Sequence, residues 1–276
     1  MSDIQTLPAW LDAEAATLAG SAPQAQTLEG FLPGFAKAQL LTPLQRLQQI
    51  QESGLAECSG AGEPVYLSWR QFLRGYGPSS LIIDATSFDT HSGNSLTILR
   101  NAPWLMAEGV IIAIGLREVQ KIELRLPAEL KGNEVTFLNV VDSIRSILQV
   151  AIPQRKVEVV RNCRPGCWSE TNTSDNKQLI HTPETWCRIA LLFRGESASD
   201  GSLVTLRRGT NQRGLTELVR SGNLEKQICN WGGGSEVKDI DPMLVFDDGM
   251  GGFLPLSKSD ISCNTLSFTS AGIMPV

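Results

Sequence analysis

The stretch from Ser80 to Leu126 constrains the fold more than any other part of the chain. It opens with Leu81-Ile82-Ile83, a short apolar run with β-branched residues, and closes with Lys121-Ile122-Glu123-Leu124-Arg125-Leu126, which alternates polar and apolar like a half-buried strand. Between them Asn101 is placed to cap a helix with Pro103 in its first turn, and Trp104, Leu105, Met106, Val110, Ile111, Ile112 and Ala113 form its apolar body. Two strands separated by a helix have enough chain for a crossover. The spacing therefore predicts parallel neighbours in an open α/β sheet flanked by helices, with its ligand edge at the strand C-termini. The loop from Asp84 to Leu99 leaves that edge, and function is expected there.

Around this unit the chain divides into an N-terminal arm (1–40), an α/β domain (41–200) and a small terminal domain (201–276). The arm mixes Ala, Gln and Pro, with Trp10 and Leu11 its first anchors; packed helical pieces and a loosely held arm are both open. Thr42 can cap a helix with Pro43 at its first position, Leu44, Leu47 and Ile50 repeat at helical spacing, and Gly54 ends it. A small-residue loop, Leu55 to Pro64, then precedes Tyr66, Trp69 and Phe72. Such a loop ahead of a helix is either a structural turn or a place where backbone N–H groups approach an anion. Its Gly-Ala-Gly is neither the dinucleotide fingerprint nor a P-loop. Val157 to Arg161 reads as a strand. In the last domain Leu203 to Leu206 and Met243 to Phe246 read as strands, Leu215 to Val219 as a short helix, and Gly232-Gly233-Gly234 as loop.

The 276 residues carry a net charge of -5 and are 42% hydrophobic, the balance of a globular chain. An acidic chain without a basic tract lacks the clustered Lys and Arg that nucleic acid requires, so no nucleic-acid partner is expected. The N-terminus lacks the basic start and apolar core of a secretory signal, and no apolar run approaches the roughly 18 residues of a membrane span, so a cytoplasmic location is expected. The six cysteines read as free thiols. Cys163 and Cys167, separated by Arg164-Pro165-Gly166, are close, but their spacing is not that of a zinc knuckle or redox pair. His91 and His181 have no carboxylate or cysteine partner nearby in sequence and read as surface or loop residues. The Trp residues read as core.

Four ordered landmarks are similar to known motifs. Ser53-Gly54-Leu55 through Trp69 is similar to Ser-Gly-Leu-Arg-Gly-Arg-Gly-Gly-Ala-Gly-Phe-Pro-x-Gly-x-Lys-Trp, and Leu99 to Ala113 resembles an Asp-Pro-His-x-Leu-Ile-Glu-Gly-Met-Ile-Ile-Ala helix. His181-Thr182-Pro183-Glu184-Thr185 stands in the place of Asn-Asn-Val-Glu-Thr, and Val245 to Pro255 resembles a Val-Gly-Gly-Pro-Ser-Gly-Gly-Phe-Leu-Pro turn. In this order they resemble one family, the NADH-binding flavin subunit of respiratory complex I and its relatives in NAD-linked hydrogenases and formate dehydrogenases. The resemblance implies a β-grasp, soluble-ligand-binding type fold for 201–276. It implies vestigial FMN-site positions at Gly60, Ala61, Gly62, Asp84, Thr86, Thr182 and Thr185, and partners among the other subunits of an NADH dehydrogenase, hydrogenase or formate dehydrogenase-like complex.

The departures from that family bear on chemistry. Glu57, Cys58 and Ser59 replace Gly-Arg-Gly, Glu63 replaces a Phe, Ser68 replaces a Lys that holds FMN, and His181 and Thr182 replace the paired Asn. Asp84, Thr86, Ser87 and Asp89 are a remnant of the family's acidic loop. The family's Gly-Ala-Tyr-Ile-Cys-Gly-Glu-Glu-Thr-Ala-Leu segment, which covers the flavin, has no counterpart after Arg161. Ser270 to Val276 resembles the family strand that precedes a helical bundle with a [4Fe–4S] cluster, and the chain is expected to be a truncated member without it. A carboxylate where cofactor phosphates lie is repulsive, and lost Arg and Lys remove the counter-charges. The expectation is therefore a cofactor-free structural or docking subunit with no catalytic residue of its own. The alternative is an FMN-binding, NADH dehydrogenase-type subunit that passes electrons to a partner's cluster, and a stand-alone small-ligand module is a third reading.

With no four cysteines at cluster spacing, iron and acid-labile sulfide assays on the purified chain are expected to stay near background. A content of about four irons per chain would overturn the thiol reading.

Overall fold

Leu81, Ile82 and Ile83 are fully buried, which a strand achieves only when both of its faces are covered and both of its edges are paired. The fold is described from a computed structural model over residues 11, 32–58, 62–86, 93–127, 141–142, 144–149, 156–163, 177–196, 201–206, 214–219, 223, 226–227, 243–246, 252–255 and 270–274. Strand β1 (Ser79–Asp84) pairs in parallel with β2 (Val119–Pro127) on one side and β4 (Gln178–His181) on the other. Strand β3 (Lys156–Cys163) adds to β2, giving a four-stranded parallel sheet of order β3-β2-β1-β4. The expected parallel neighbours and their flanking helices are present. The C-terminal edge places Asp84 at the end of β1 and His181 at the end of β4.

Helix α1 (Pro33–Gln39) is followed by α2 (Pro43–Ser53), where Thr42 accepts from Gln45 N and the Gln45 side chain accepts from Thr42 N, a capping box. Gly54 closes α2 in the left-handed conformation, φ 67°. Helix α3 (Val65–Arg74) buries Val65, Trp69 and Phe72.

Between β1 and β2 the chain forms two helices rather than one. Helix α4 (Asn94–Asn101) occupies the end of what the sequence suggested was loop, and Asn101 is its last residue, not the cap of the next helix. Pro103 has no N–H to continue α4, so α5 (Pro103–Ile114) starts afresh at Ala102, bent 94° from α4. Helix α5 is buried nearly all round, as expected for a core helix. Among the described residues no single helix is long and apolar enough to cross a membrane.

Helix α6 (Pro183–Arg194) packs against α1 and α5, and its Trp186 indole donates to Ile82 O of β1 at 3.2 Å. The second sheet comprises β5 (Gly201–Leu206), β6 (Gly214–Val219), β7 (Met243–Phe246), β8 (Gly252–Pro255) and β9 (Ser270–Met274), in the order β6-β5-β9-β7-β8. Here Leu215 to Val219 is a strand and not the expected helix. It pairs antiparallel with the whole of β5, from Gly201 opposite Val219 to Leu206 opposite Gly214, and that ladder of backbone hydrogen bonds outweighs a single helical turn. Polar contacts tie this sheet to helices α4 and α6: Asn94 Nδ2 donates to Leu203 O at 2.7 Å, Leu203 N to Glu184 Oε1 at 2.8 Å, and Arg188 to Glu217 Oε1 at 2.7 Å.

Helices α5 and α6 cross so closely that a Cβ on Gly109 would lie 1.9 Å from Trp186 O. Because that neighbour is backbone, relief requires the helices to part. Gly109→Ala is expected to lower the free energy of unfolding by about 3 kcal/mol or more, measured by urea denaturation. A change within experimental scatter would show that the crossing is looser than described.

Candidate functional site

The C-terminal edge of the parallel sheet gathers polar groups from four elements. Glu57 arrives from the loop before α3, which folds back on itself through a bridge between Ala56 and Pro64, with Glu57 N donating to Glu63 O at 2.7 Å and Val65 N to Leu55 O at 2.9 Å. That turn directs the Glu57 carboxylate inward, where the residue is 5% exposed. It meets the first residues of α6: Thr182 N and Thr182 Oγ1 donate to Oε1 at 3.2 and 3.1 Å, and Thr185 Oγ1 donates at 2.6 Å. Cys58 N in turn donates to Thr185 Oγ1 at 2.9 Å, so the loop backbone is tied to the same hydroxyl.

The other carboxylate oxygen, Oε2, contacts His181 Nδ1. The indole N–H of Trp69, which can only donate, reaches His181 Nε2 at 3.1 Å. Nε2 must therefore accept, and the ring proton is on Nδ1, pointing at Glu57. Trp186 stands edge-on to the imidazole, centroids 4.9 Å apart. His181 is 1% exposed, so its expected place at the surface is corrected. Sequence reasoning missed this because the partner lies 124 positions away. The only available signal was that both residues replace family positions implied to meet at one site.

Burial would raise the Glu57 carboxyl, but the His181 ring and the hydrogen bonds of Thr185 and Thr182 outweigh it, and the group lies below the ordinary carboxylate range. Asp84 moves the other way. Desolvation at the end of β1 pushes its carboxyl up, Glu57 adds to that, and the Thr86 amide and hydroxyl and the Arg125 charge only partly oppose it. Thr86 N donates to Asp84 Oδ1 at 3.0 Å, a local turn held by the Asp side chain.

Of the expected site positions, Thr182 and Thr185 come together on Glu57, while Asp84 and Thr86 bond each other beside it. Gly62 adopts φ 57° in the loop, consistent with a structural turn. Gly60 and Ala61 lie outside the described residues, as do Ser87, Asp89, His91 and Cys167. Ser68 donates its hydroxyl to Val65 O of its own helix at 2.8 Å and does not face the cluster through that bond. Cys58 and Cys187 are buried and not joined in a disulfide, and among the described residues no group of His, Cys, Asp and Glu could hold a metal ion. Trp69 and Trp186 are core residues as expected.

No family model matches the chain, and no curated protein matches it. Among the solved structures that share its fold are two forms of one enzyme type. One is an NAD+-reducing [NiFe]-hydrogenase in the air-oxidized state, with a TM-score of 0.71 and 15% identity over 93% of this chain. The other is an NAD+-reducing [NiFe]-hydrogenase in the H2-reduced state, with a TM-score of 0.67 and 14% identity over 91% of this chain. In both comparisons this chain spans 51% of the matched chain's length. At these identities the likeness establishes the fold.

The depressed Glu57 carboxyl has a pH consequence. Its stabilisation is fully present above the unfolded carboxyl value of about 4.3 and is lost as pH falls through the lower folded value. Glu57→Gln is expected to cost about 1–3 kcal/mol near neutrality, since the amide cannot satisfy both the hydroxyl donors and the His181 N–H. The gap between wild type and variant, read from denaturation curves, should narrow below about pH 4. Asp84, Glu108 and Glu184, whose carboxyls are raised, act in the opposite direction but are common to both proteins. A gap that widens on acidification would contradict the assignment of an ionised Glu57.

Proposed function

We propose that this chain is a structural or docking subunit of a multi-subunit, NAD-linked redox complex, built on the fold of an NADH-binding flavin subunit but holding no cofactor of its own. The observation that carries the reading is the Glu57 cluster. The donors at the start of α6 are occupied by a carboxylate from the chain itself, in a setting that holds it ionised. The residues present do not fit FMN: a phosphate entering here meets a like charge, and Ser68 stands where the resemblance implies a Lys counter-charge. Hydride transfer from NADH would need the flavin, because the cofactor supplies that chemistry, so no step of it is assigned to these side chains.

The second sheet is read as a β-grasp domain. Its support is the order β6-β5-β9-β7-β8, with β5 and β9 parallel at the centre and antiparallel hairpins on either side. Partners are the other subunits of an NADH dehydrogenase, hydrogenase or formate dehydrogenase-like assembly, and the proposed compartment is the cytoplasm. The exposed Leu40, Leu44 and Tyr76 are apolar side chains that such an assembly could cover.

Protein purified without added cofactor is expected to be colourless, to leave FMN fluorescence unchanged on titration, and to bring down iron–sulfur or catalytic subunits from its native source, identified by mass spectrometry. A stoichiometric yellow protein that reduces a dye with NADH would instead support the reading as an electron-transfer subunit. A well-behaved monomer that recovers no redox subunit would remove the docking role.

A further inference from the structure

We infer that Glu57 is an internal anion, whose carboxylate fills a donor cluster at the N-terminus of α6 that otherwise takes an anionic ligand from outside, so that the chain closes its own site. The inference rests on the cofactor-free reading of this edge. It goes further by assigning the replacement to one side chain.

Helix α6 does not need Glu57 as a cap. Thr182, in extended conformation, already accepts from Thr185 N at 3.3 Å, which is the ordinary side-chain cap. What Glu57 satisfies is a separate set of donors: Thr182 N–H, the two threonine hydroxyls and the His181 Nδ1–H. All face a position from which water is largely excluded, since Glu57, His181 and Thr185 are 5%, 1% and 0% exposed. Backbone N–H and hydroxyl donors converging at the positive end of a 12-residue helix form an anion site by their chemistry.

The charge also belongs to the arrangement. Two other buried carboxylates each face a guanidinium, Glu108 facing Arg194 and Glu184 facing Arg188, while Asp84 is held by Thr86. Among the described residues the Glu57 carboxylate bonds no Arg or Lys; its partners are the helix end, two hydroxyls and a ring N–H. That is how a bound carboxylate or phosphate is held, and here the ligand is covalently part of the loop. The bridge from Ala56 to Pro64 and the Cys58 N bond to Thr185 hold that loop in place.

Removing the side chain should leave the donors intact and the anion missing, so a small external anion should restore what was lost. The test uses the full chain as wild type, Glu57→Ala and Glu57→Gln, with Tm and tryptophan emission measured in acetate, inorganic phosphate and chloride at matched ionic strength. Glu57→Ala is expected to lose about 5–10 °C of Tm in chloride. Acetate or phosphate should recover at least half of that loss, while wild type and Glu57→Gln, whose pockets are filled, gain nothing specific to the anion. Recovery by acetate alone marks a carboxylate-sized site; recovery by phosphate as well marks one open to phosphate-bearing ligands. Should Glu57→Ala not fold in chloride, its refolding yield is read in the same three anions, and a higher yield in acetate or phosphate supports the assignment. Equal behaviour of Glu57→Ala in all three anions overturns it, as does an anion-specific gain in wild type. A yellow wild-type protein would overturn the preceding reading, whereas absent rescue in a colourless protein overturns only this one.

Discussion

The crossing of α5 and α6 at Gly109 is the contact on which the rest of the structure depends. The absence of a side chain there lets Trp186 O approach the backbone of α5, and this seats α6 deep against the sheet. From that depth the Trp186 indole reaches Ile82 O in the central strand, and Thr182 arrives beside the end of β4. A wider crossing would lift the N-terminus of α6 off the sheet edge and undo the cluster around Glu57. Close packing of this kind is unforgiving, because interiors at crystal-like density have no slack to absorb a methyl group.

Upon that crossing is built a frame of buried charge. Glu108 of α5 accepts from Gly34 N and Phe35 N at 2.6 and 3.1 Å and from Arg194 at 2.7 Å, joining α1, α5 and the end of α6. Arg188, in the middle of α6, spans Glu184 and Glu217 and so reaches from the helix into the second sheet. Arg46 of α2, buried, donates to Ala38 O and Ile112 O, placing its charge at the carbonyl ends of α1 and α5. Each such pair costs desolvation and adds little net stability, but losing one partner strands the other at a cost of about 3–5 kcal/mol. The frame therefore acts on specificity, since alternative packings would leave charges alone in the core.

Much of this was legible in the sequence where the signal was local. Thr42, Pro43 and Gln45 announced a capped helix, and the β-branched run at Leu81 and the alternation through Leu126 announced parallel strands. Where the reading failed, the deciding partner was distant. Asn101 has the right chemistry for a cap, but the burial of Ile98 and Leu99 extends a helix up to it from the other side. Leu215 to Val219 could be a helical turn until β5 supplies a full antiparallel register. His181 looked unpartnered because Glu57 is 124 residues away, and only the fold brings the loop over the helix end.

The same distance explains how a fold can keep a ligand edge while its chemistry changes. Topology alone puts the α6 N-terminus and the ends of β1 and β4 on one side of the sheet, so converging donors persist there whatever the loop contains. Those donors need an acceptor once water is excluded, and an acceptor carried on a loop is present at a far higher effective concentration than one drawn from solution. Its ordering cost is met during folding and never again, so on the proposed reading those donors are satisfied in every folded molecule without a supply of ligand. An external anion leaves and returns, and can carry chemistry; an internal one can only hold. On the reading proposed above, a side chain at position 57 decides whether this edge binds or braces, and the ionised glutamate, seated among donors, braces.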